Sequence, residues 1–85
     1  MVELRHLIAD KLGIHARPAA QIVKRCSAYE SSITIGTPAK MVDAKRIMGV
    51  MGLALKYGDE LHMAFDGPDA DQAAEDLESF LKENL

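Results

Sequence analysis

Apolar and polar residues alternate from the start of the chain. Val2, Leu4 and Ile8 are interleaved with Glu3 and Arg5, and this period of two predicts a strand over residues 2–8. Asp10-Lys11-Leu12-Gly13 breaks the pattern and reads as a loop. From Ala16 to about Ser27 the period lengthens. Ala19, Ile22, Val23 and Cys26, then Tyr29, recur at helical spacing, with Gln21, Lys24 and Arg25 on the wet side. Pro18 falls in the first turn, where a missing N–H costs nothing. Ile33-Thr34-Ile35 predicts a short strand, Gly36-Thr37-Pro38-Ala39 a turn, and Met41-Val42 the start of a returning hairpin strand.

Residues 47–55 are apolar almost throughout: Ile47, Met48, Val50, Met51, Leu53, Ala54 and Leu55. Gly49 and Gly52 each weaken a helix there by about 1 kcal/mol relative to alanine, so a short helix is predicted. Tyr57-Gly58-Asp59 is a turn. Leu61, Met63 and Phe65 then alternate with Glu60, His62 and Asp66, the signature of a half-buried strand. After the turn Asp66-Gly67-Pro68-Asp69, Asp69 is positioned to cap a final helix. Ala70, Ala73, Ala74, Leu77, Phe80 and Leu81 form that helix's buried stripe, and Asp71, Glu75, Asp76 and Glu78 its solvated face. The order strand, helix, strand, strand, helix, strand, helix implies an α+β fold. A mostly antiparallel sheet would carry the helices on one side, in a single domain over residues 1–85.

Composition narrows the function. The net charge is -3, and the aromatics are two Tyr and two Phe with no Trp. No basic run is interleaved with aromatics, which disfavours nucleic acid as a partner. No apolar stretch reaches signal-peptide or membrane-spanning length, so no membrane insertion is expected. The lone Cys26 has no internal disulfide partner, and a reducing, cytoplasmic setting is expected. Cys26 lies in the apolar stripe and reads as core. His6 and His62 lie in strands and read as structural or surface residues. No two of the three histidines have metal-ligand spacing, so neither a metal nor a cofactor is expected.

The chemistry concentrates in Gly13-Ile14-His15-Ala16-Arg17-Pro18-Ala19-Ala20. A histidine stands just ahead of a predicted helix start. There the first-turn N–H groups have no intrahelical partner and the helix dipole is positive. Such a terminus suits an anion, and the Arg17 fork adds donors matched to phosphate oxygens. The pattern points to a reversible phosphohistidine. No base adjoins His15 in sequence to activate water; Asp10 is the nearest acidic residue, and nothing in the sequence brings it into the site.

These residues resemble the histidine-containing phosphocarrier (HPr) family of the bacterial phosphotransferase system. Gly13-Ile14-His15-Ala16-Arg17-Pro18-Ala19 matches that family's active-site signature. Lys45-Arg46-Ile47-Met48-Gly49-Val50-Met51 follows its second motif, and Asp66-Gly67 and the acidic last helix also fit. The resemblance covers essentially the whole chain. It implies an open-faced β-sandwich, a four-stranded antiparallel sheet covered on one face by three helices. It also implies that His15 takes a phosphoryl group on Nδ1 from phosphorylated enzyme I, charged by phosphoenolpyruvate. The group would then pass to a histidine of a sugar-specific enzyme IIA. Arg17 would steady the group, and the Ala16 and Arg17 N–H groups would donate to its oxygens. The chain would act as a monomeric relay without catalytic turnover of its own.

Ile47, Met48 and Met51 would form a docking surface whose flexible methionines suit several partners. Arg17, Lys24, Lys40, Lys45 and Arg46 would rim it with positive charge. Arg46 departs from the family. Many members carry there a serine that a regulatory kinase phosphorylates, so this control is expected to be absent. Arginine is also a poor helix cap, and Asp43 would cap the second helix instead. The alternative readings are a carrier of the nitrogen-related branch and a regulatory binding module switched by phosphorylation.

Overall fold

The period-two segments pair into one sheet and the period-3.6 segments cover it. The structure, a computed structural model, describes residues 1–85. Its elements are β1 (Val2–Leu7), α1 (Ala16–Ser27), β2 (Ser32–Thr37), β3 (Lys40–Asp43), α2 (Ile47–Met51), β4 (Glu60–Asp66) and α3 (Ala70–Asn84). The sheet runs β1-β4-β2-β3 with every neighbour antiparallel. Its register sorts the side chains by face. Leu4, Met63, Ile35 and Val42 form one row across all four strands, and Val2, Phe65 and Ile33 form the next. These rows face the helices. The opposite face carries Arg5, His62, Gly36 and Met41 in a row and has no helix over it, which makes the fold an open-faced β-sandwich.

One core of 19 buried apolar residues fills the space between the layers. Ile22 and Cys26 enter from α1, Val50 from α2, and Leu77 and Leu81 from α3; all are fully buried. The stripes predicted for α1 and α3 are these core faces, and β1 ends one residue early, with Ile8 buried beyond it.

Four local expectations need correction. β2 continues through Gly36 to Thr37, which pair with Met41 and Lys40, so the turn shrinks to Pro38-Ala39. Two-residue loops are the common hairpin solution, and pairing two more residues satisfies their backbone groups. The second helix is five residues rather than nine. Gly52 closes it, the following N–H groups of Leu53 and Ala54 turn back on Val50 and Met51, and Ala54 takes a left-handed φ of 53°. That reversal buries Leu55. Asp76 is not a solvated residue: it pairs with Arg25 and accepts the Tyr29 hydroxyl at 2.8 Å, clasping α3 to α1. The Arg25 guanidinium also lies 4.9 Å from the Phe80 ring centroid.

The fourth concerns Asp69. It occupies the N-cap position of α3, yet its side chain makes no cap bond. Its carboxylate instead accepts the Glu30 and Ser31 N–H groups, each at 2.9 Å, and the Ser31 hydroxyl. The Asp69 N–H donates back to Ser31 Oγ at 3.2 Å. Three converging donors on the α1–β2 connection outcompete the helix's own N–H groups. The Ser31 hydroxyl, then the Glu30 N–H, hold the Asp69 carboxyl below its ordinary value of 3.8. A lowered value means that the ionised clamp stabilises the fold fully at neutral pH and is lost as pH falls from the ordinary carboxylate range through the lowered one. Asp69→Asn is expected to reduce stability at neutral pH, with the gap to the native protein narrowing as the solution is acidified. Urea unfolding midpoints along a pH series measure this, and a gap independent of pH would refute the charge-based account.

Candidate functional site

The site is built at the N-terminus of α1 and on the loop that leads into it. His15 is the N-cap residue, with extended backbone (φ -128°, ψ -170°), and its ring makes no cap bond. Its carbonyl accepts the Ala19 N–H at 3.0 Å, which begins the helix. The Ala16 and Arg17 N–H groups have no partner, Pro18 has none to offer, and no acidic residue occupies the first turn. Two free donors and the positive end of a twelve-residue helix therefore meet beside an exposed imidazole. Arg17 is exposed and belongs to none of the ion pairs, so its guanidinium is free for an incoming anion.

The loop is fixed from both sides. The Ala9 and Asp10 N–H groups donate to the main-chain oxygen of Leu85 at 2.5 and 3.1 Å. Ile8 exchanges backbone bonds with Asp59 and Gly58, and the Ile14 N–H donates to the Leu55 oxygen at 3.0 Å. The Asp10 carboxylate accepts the Leu12 N–H at 2.8 Å, closing a small turn. Ile14 is buried, and the next residue, His15, emerges into solvent. The segment after α2 thus anchors the residue that precedes His15.

His15, Arg17 and Pro18 line an open cavity of about 320 Å³ together with Asp10, Leu12, Gln21 and Asn84. Asp10 therefore lines the same cavity as His15, a placement that nothing in the sequence indicates. Gln21 was legible in principle, since it follows Arg17 by one helical turn. Asp10 and Asn84 arrive through the loop and the end of α3 and carry no local signal.

The family description "PTS HPr component phosphorylation site" matches residues 2–83. The chain belongs to the HPr family. It is similar to the phosphocarrier protein HPr of Lysinibacillus sphaericus, 46% identical over 76 residues, which span 89% of this chain and 86% of that protein. The solved structure of a Mycoplasma histidine-containing phosphocarrier protein superposes with a TM-score of 0.92 at 39% identity, covering 96% of this chain and 93% of that one. The HPr-like protein Crh of Bacillus subtilis is 34% identical over 85 residues, the full length of both chains.

Within this HPr fold the residues expected to dock partners separate into groups. Arg17, Gln21 and Lys24 follow one another at helical spacing, so the stripe beside His15 continues along α1 to Lys24. Met48 and Met51 are 79% and 42% exposed, whereas Ile47 is half-buried and packs against the core. Gly49 faces the Val42 side chain of β3, and a Cβ there would make an ordinary van der Waals contact at 3.6 Å. Lys45 is not a free rim charge. Its Nζ donates to the Tyr29 carbonyl at 2.8 Å and ties the chain ahead of α2 to the end of α1. Lys40 lies at the hairpin turn, three residues before Asp43, about 10 Å along β3 from the approach to α2. The structure does not bring it to Arg46.

Arg46 is the N-cap of α2 and makes no side-chain cap bond. Asp43 does not cap the helix either. Its Oδ1 accepts the Lys45 N–H at 2.9 Å and its Oδ2 lies 3.6 Å from Arg46 Nε. The backbone N–H of Lys45 lies one residue before the cap, and it takes the carboxylate before any helical N–H can. Cys26, read as core, is fully buried, and burial pushes its thiol up to about 12 against the opposing pull of Lys45. His62 is half-buried and bonds to Glu60 at 2.9 Å. His6 faces the helices, and its Nε2 is buried without a partner. No helix is long and apolar enough to cross a membrane.

Proposed function

We propose that this HPr-family chain is a phosphoryl relay that accepts its cargo on His15 from phosphorylated enzyme I and delivers it to a histidine of a sugar-specific enzyme IIA. The supporting observation is the exposed His15 imidazole beside two unpartnered N–H groups and an unpaired Arg17 at one helix N-terminus. In the accepting step a ring nitrogen of His15 forms a bond to phosphorus as the donor's P–N bond breaks. The donor nitrogen keeps the electron pair and later takes a proton. The transition state resembles metaphosphate, so catalysis consists of alignment and charge stabilisation. The Ala16 and Arg17 N–H groups and the guanidinium supply the latter. The chain works as a monomer in the cytoplasm, where Cys26 stays a thiol, and needs no metal or cofactor. The Arg46 position carries no serine-type control.

A mixture of the chain, enzyme I and phosphoenolpyruvate is expected to yield a base-stable, acid-labile phosphate on His15 that moves on when a sugar-specific enzyme IIA is added. Label that stays on His15 in the presence of several such acceptors would defeat the sugar-branch reading. Partner docking rests on α2, where Met48 stands exposed. Met48→Asp places a charge in that contact and is expected to raise the KM of enzyme I for this substrate about tenfold or more, with stability unchanged. Steady-state phosphorylation rates measure it.

A further inference from the structure

We infer that Asp10 is a tuning residue for the cargo on His15: its carboxylate repels the phosphoryl group and raises the group's tendency to leave. The inference rests on the reading of His15 as the phosphoryl acceptor. Three observations carry it. Asp10 lines the same cavity as His15 and Arg17. Its carboxylate is held in place, because Oδ1 accepts the Leu12 N–H at 2.8 Å and its own N–H is bound to the Leu85 oxygen. It is also uncompensated: neither Arg17 nor any other cation forms an ion pair with it.

The remaining charges of this site are arranged to hold an anion. Ala16, Arg17 and the helix terminus attract it, and Gln21 and Asn84 contribute neutral amides. An acceptor built only of such groups would bind its phosphoryl group too well to hand it on. A fixed carboxylate on the cavity wall acts chiefly on the dianionic phosphohistidine. It acts less on the metaphosphate-like transition state, where charge moves off the transferring group. The ground state is raised more than the barrier top, and the P–N bond breaks faster. With water as acceptor, the water oxygen bonds to phosphorus as the P–N bond breaks. The imidazole nitrogen takes a proton, and inorganic phosphate leaves.

The test loads His15 with potassium phosphoramidate, independently of enzyme I, and follows loss of the phosphohistidine signal by phosphorus NMR at neutral pH. Asp10→Asn keeps an oxygen to accept the Leu12 N–H, whereas Asp10→Ala removes both turn and charge. Both variants are expected to lengthen the lifetime of the phosphoryl group about three- to tenfold at low ionic strength, the scale of one exposed charge acting on a nearby anion. The effect should shrink in about 1 M salt. If Asp10→Asn behaves as the native chain, or shortens the lifetime, Asp10 only holds the turn and the inference fails. If His15 takes no phosphoryl group from phosphoramidate, the inference and the relay fall together. If phosphoramidate loads His15 but enzyme I does not, the relay falls and the Asp10 comparison still decides the inference.

Discussion

His15→Ala is expected to abolish phosphoryl acceptance altogether while leaving the fold intact. The two outcomes are separable because the His15 ring is exposed and caps nothing. Truncating such a surface group shifts stability by no more than about 0.5 kcal/mol. The proposed nucleophile, however, has no substitute. His6 is on the helix-facing side of β1 and His62 is tied to Glu60 on the sheet, so neither ring adjoins the α1 terminus. Arg17→Ala makes the graded comparison. It leaves the nucleophile and removes charge-assisted bonds of about 1.5–3 kcal/mol, which corresponds to roughly a ten- to hundredfold slower transfer. Radiolabel transfer from phosphoenolpyruvate, with thermal unfolding run in parallel, reads both. Residual labelling of His15→Ala at the native rate would remove His15 as the acceptor.

The regular elements were legible because their periods are clean. The alternation Leu61, Met63, Phe65 and the α3 stripe Ala73, Leu77, Phe80 are set by burial against one sheet face, and burial is what periodicity records. His15 was legible for a related reason: N-terminal donors, Pro18 and a neighbouring arginine lie within four residues, so helix geometry alone assembles them. What stayed hidden are contacts made by polar groups distant in sequence. Asp69 reads as a cap from its neighbours, but it answers to Ser31, 38 residues away. Asp76 reads as solvated from its helical face, but it meets Arg25 and Tyr29 across the α1–α3 groove. Lys45 reads as a rim charge and is consumed by a carbonyl of another segment. Polar pairing has no period. Asp10 illustrates the consequence at the site, since only the folded loop brings it into the cavity that Arg17 also lines.

Gly13→Ala is expected to produce a large loss from a single added methyl group, and to couple stability to transfer. Gly13 has φ +64°, in the left-handed region that costs an alanine about 1–2 kcal/mol. Space adds to this. A Cβ on Gly13 would stand 2.3 Å from the Leu55 oxygen and 2.8 Å from the Lys56 Cα, and both neighbours are backbone. They cannot swing aside as a side chain would. The Leu55 oxygen is also the acceptor for the Ile14 N–H, so moving it away stretches the bond that sets His15 in place. Gly58 provides the control. It too has positive φ, at +90°, but nothing lies within 4 Å of its Cβ position. Gly58→Ala should therefore carry the backbone cost alone. Gly13→Ala should exceed it, reaching about 2–4 kcal/mol in urea unfolding, within the range of severe point changes. At temperatures where the Gly13→Ala fold persists, the displaced loop should slow phosphoryl acceptance, whereas Gly58→Ala should not. Equal losses in the two variants would mean that backbone conformation alone matters. The close approach of Gly13 to Leu55 would then not be what holds His15 at the helix terminus.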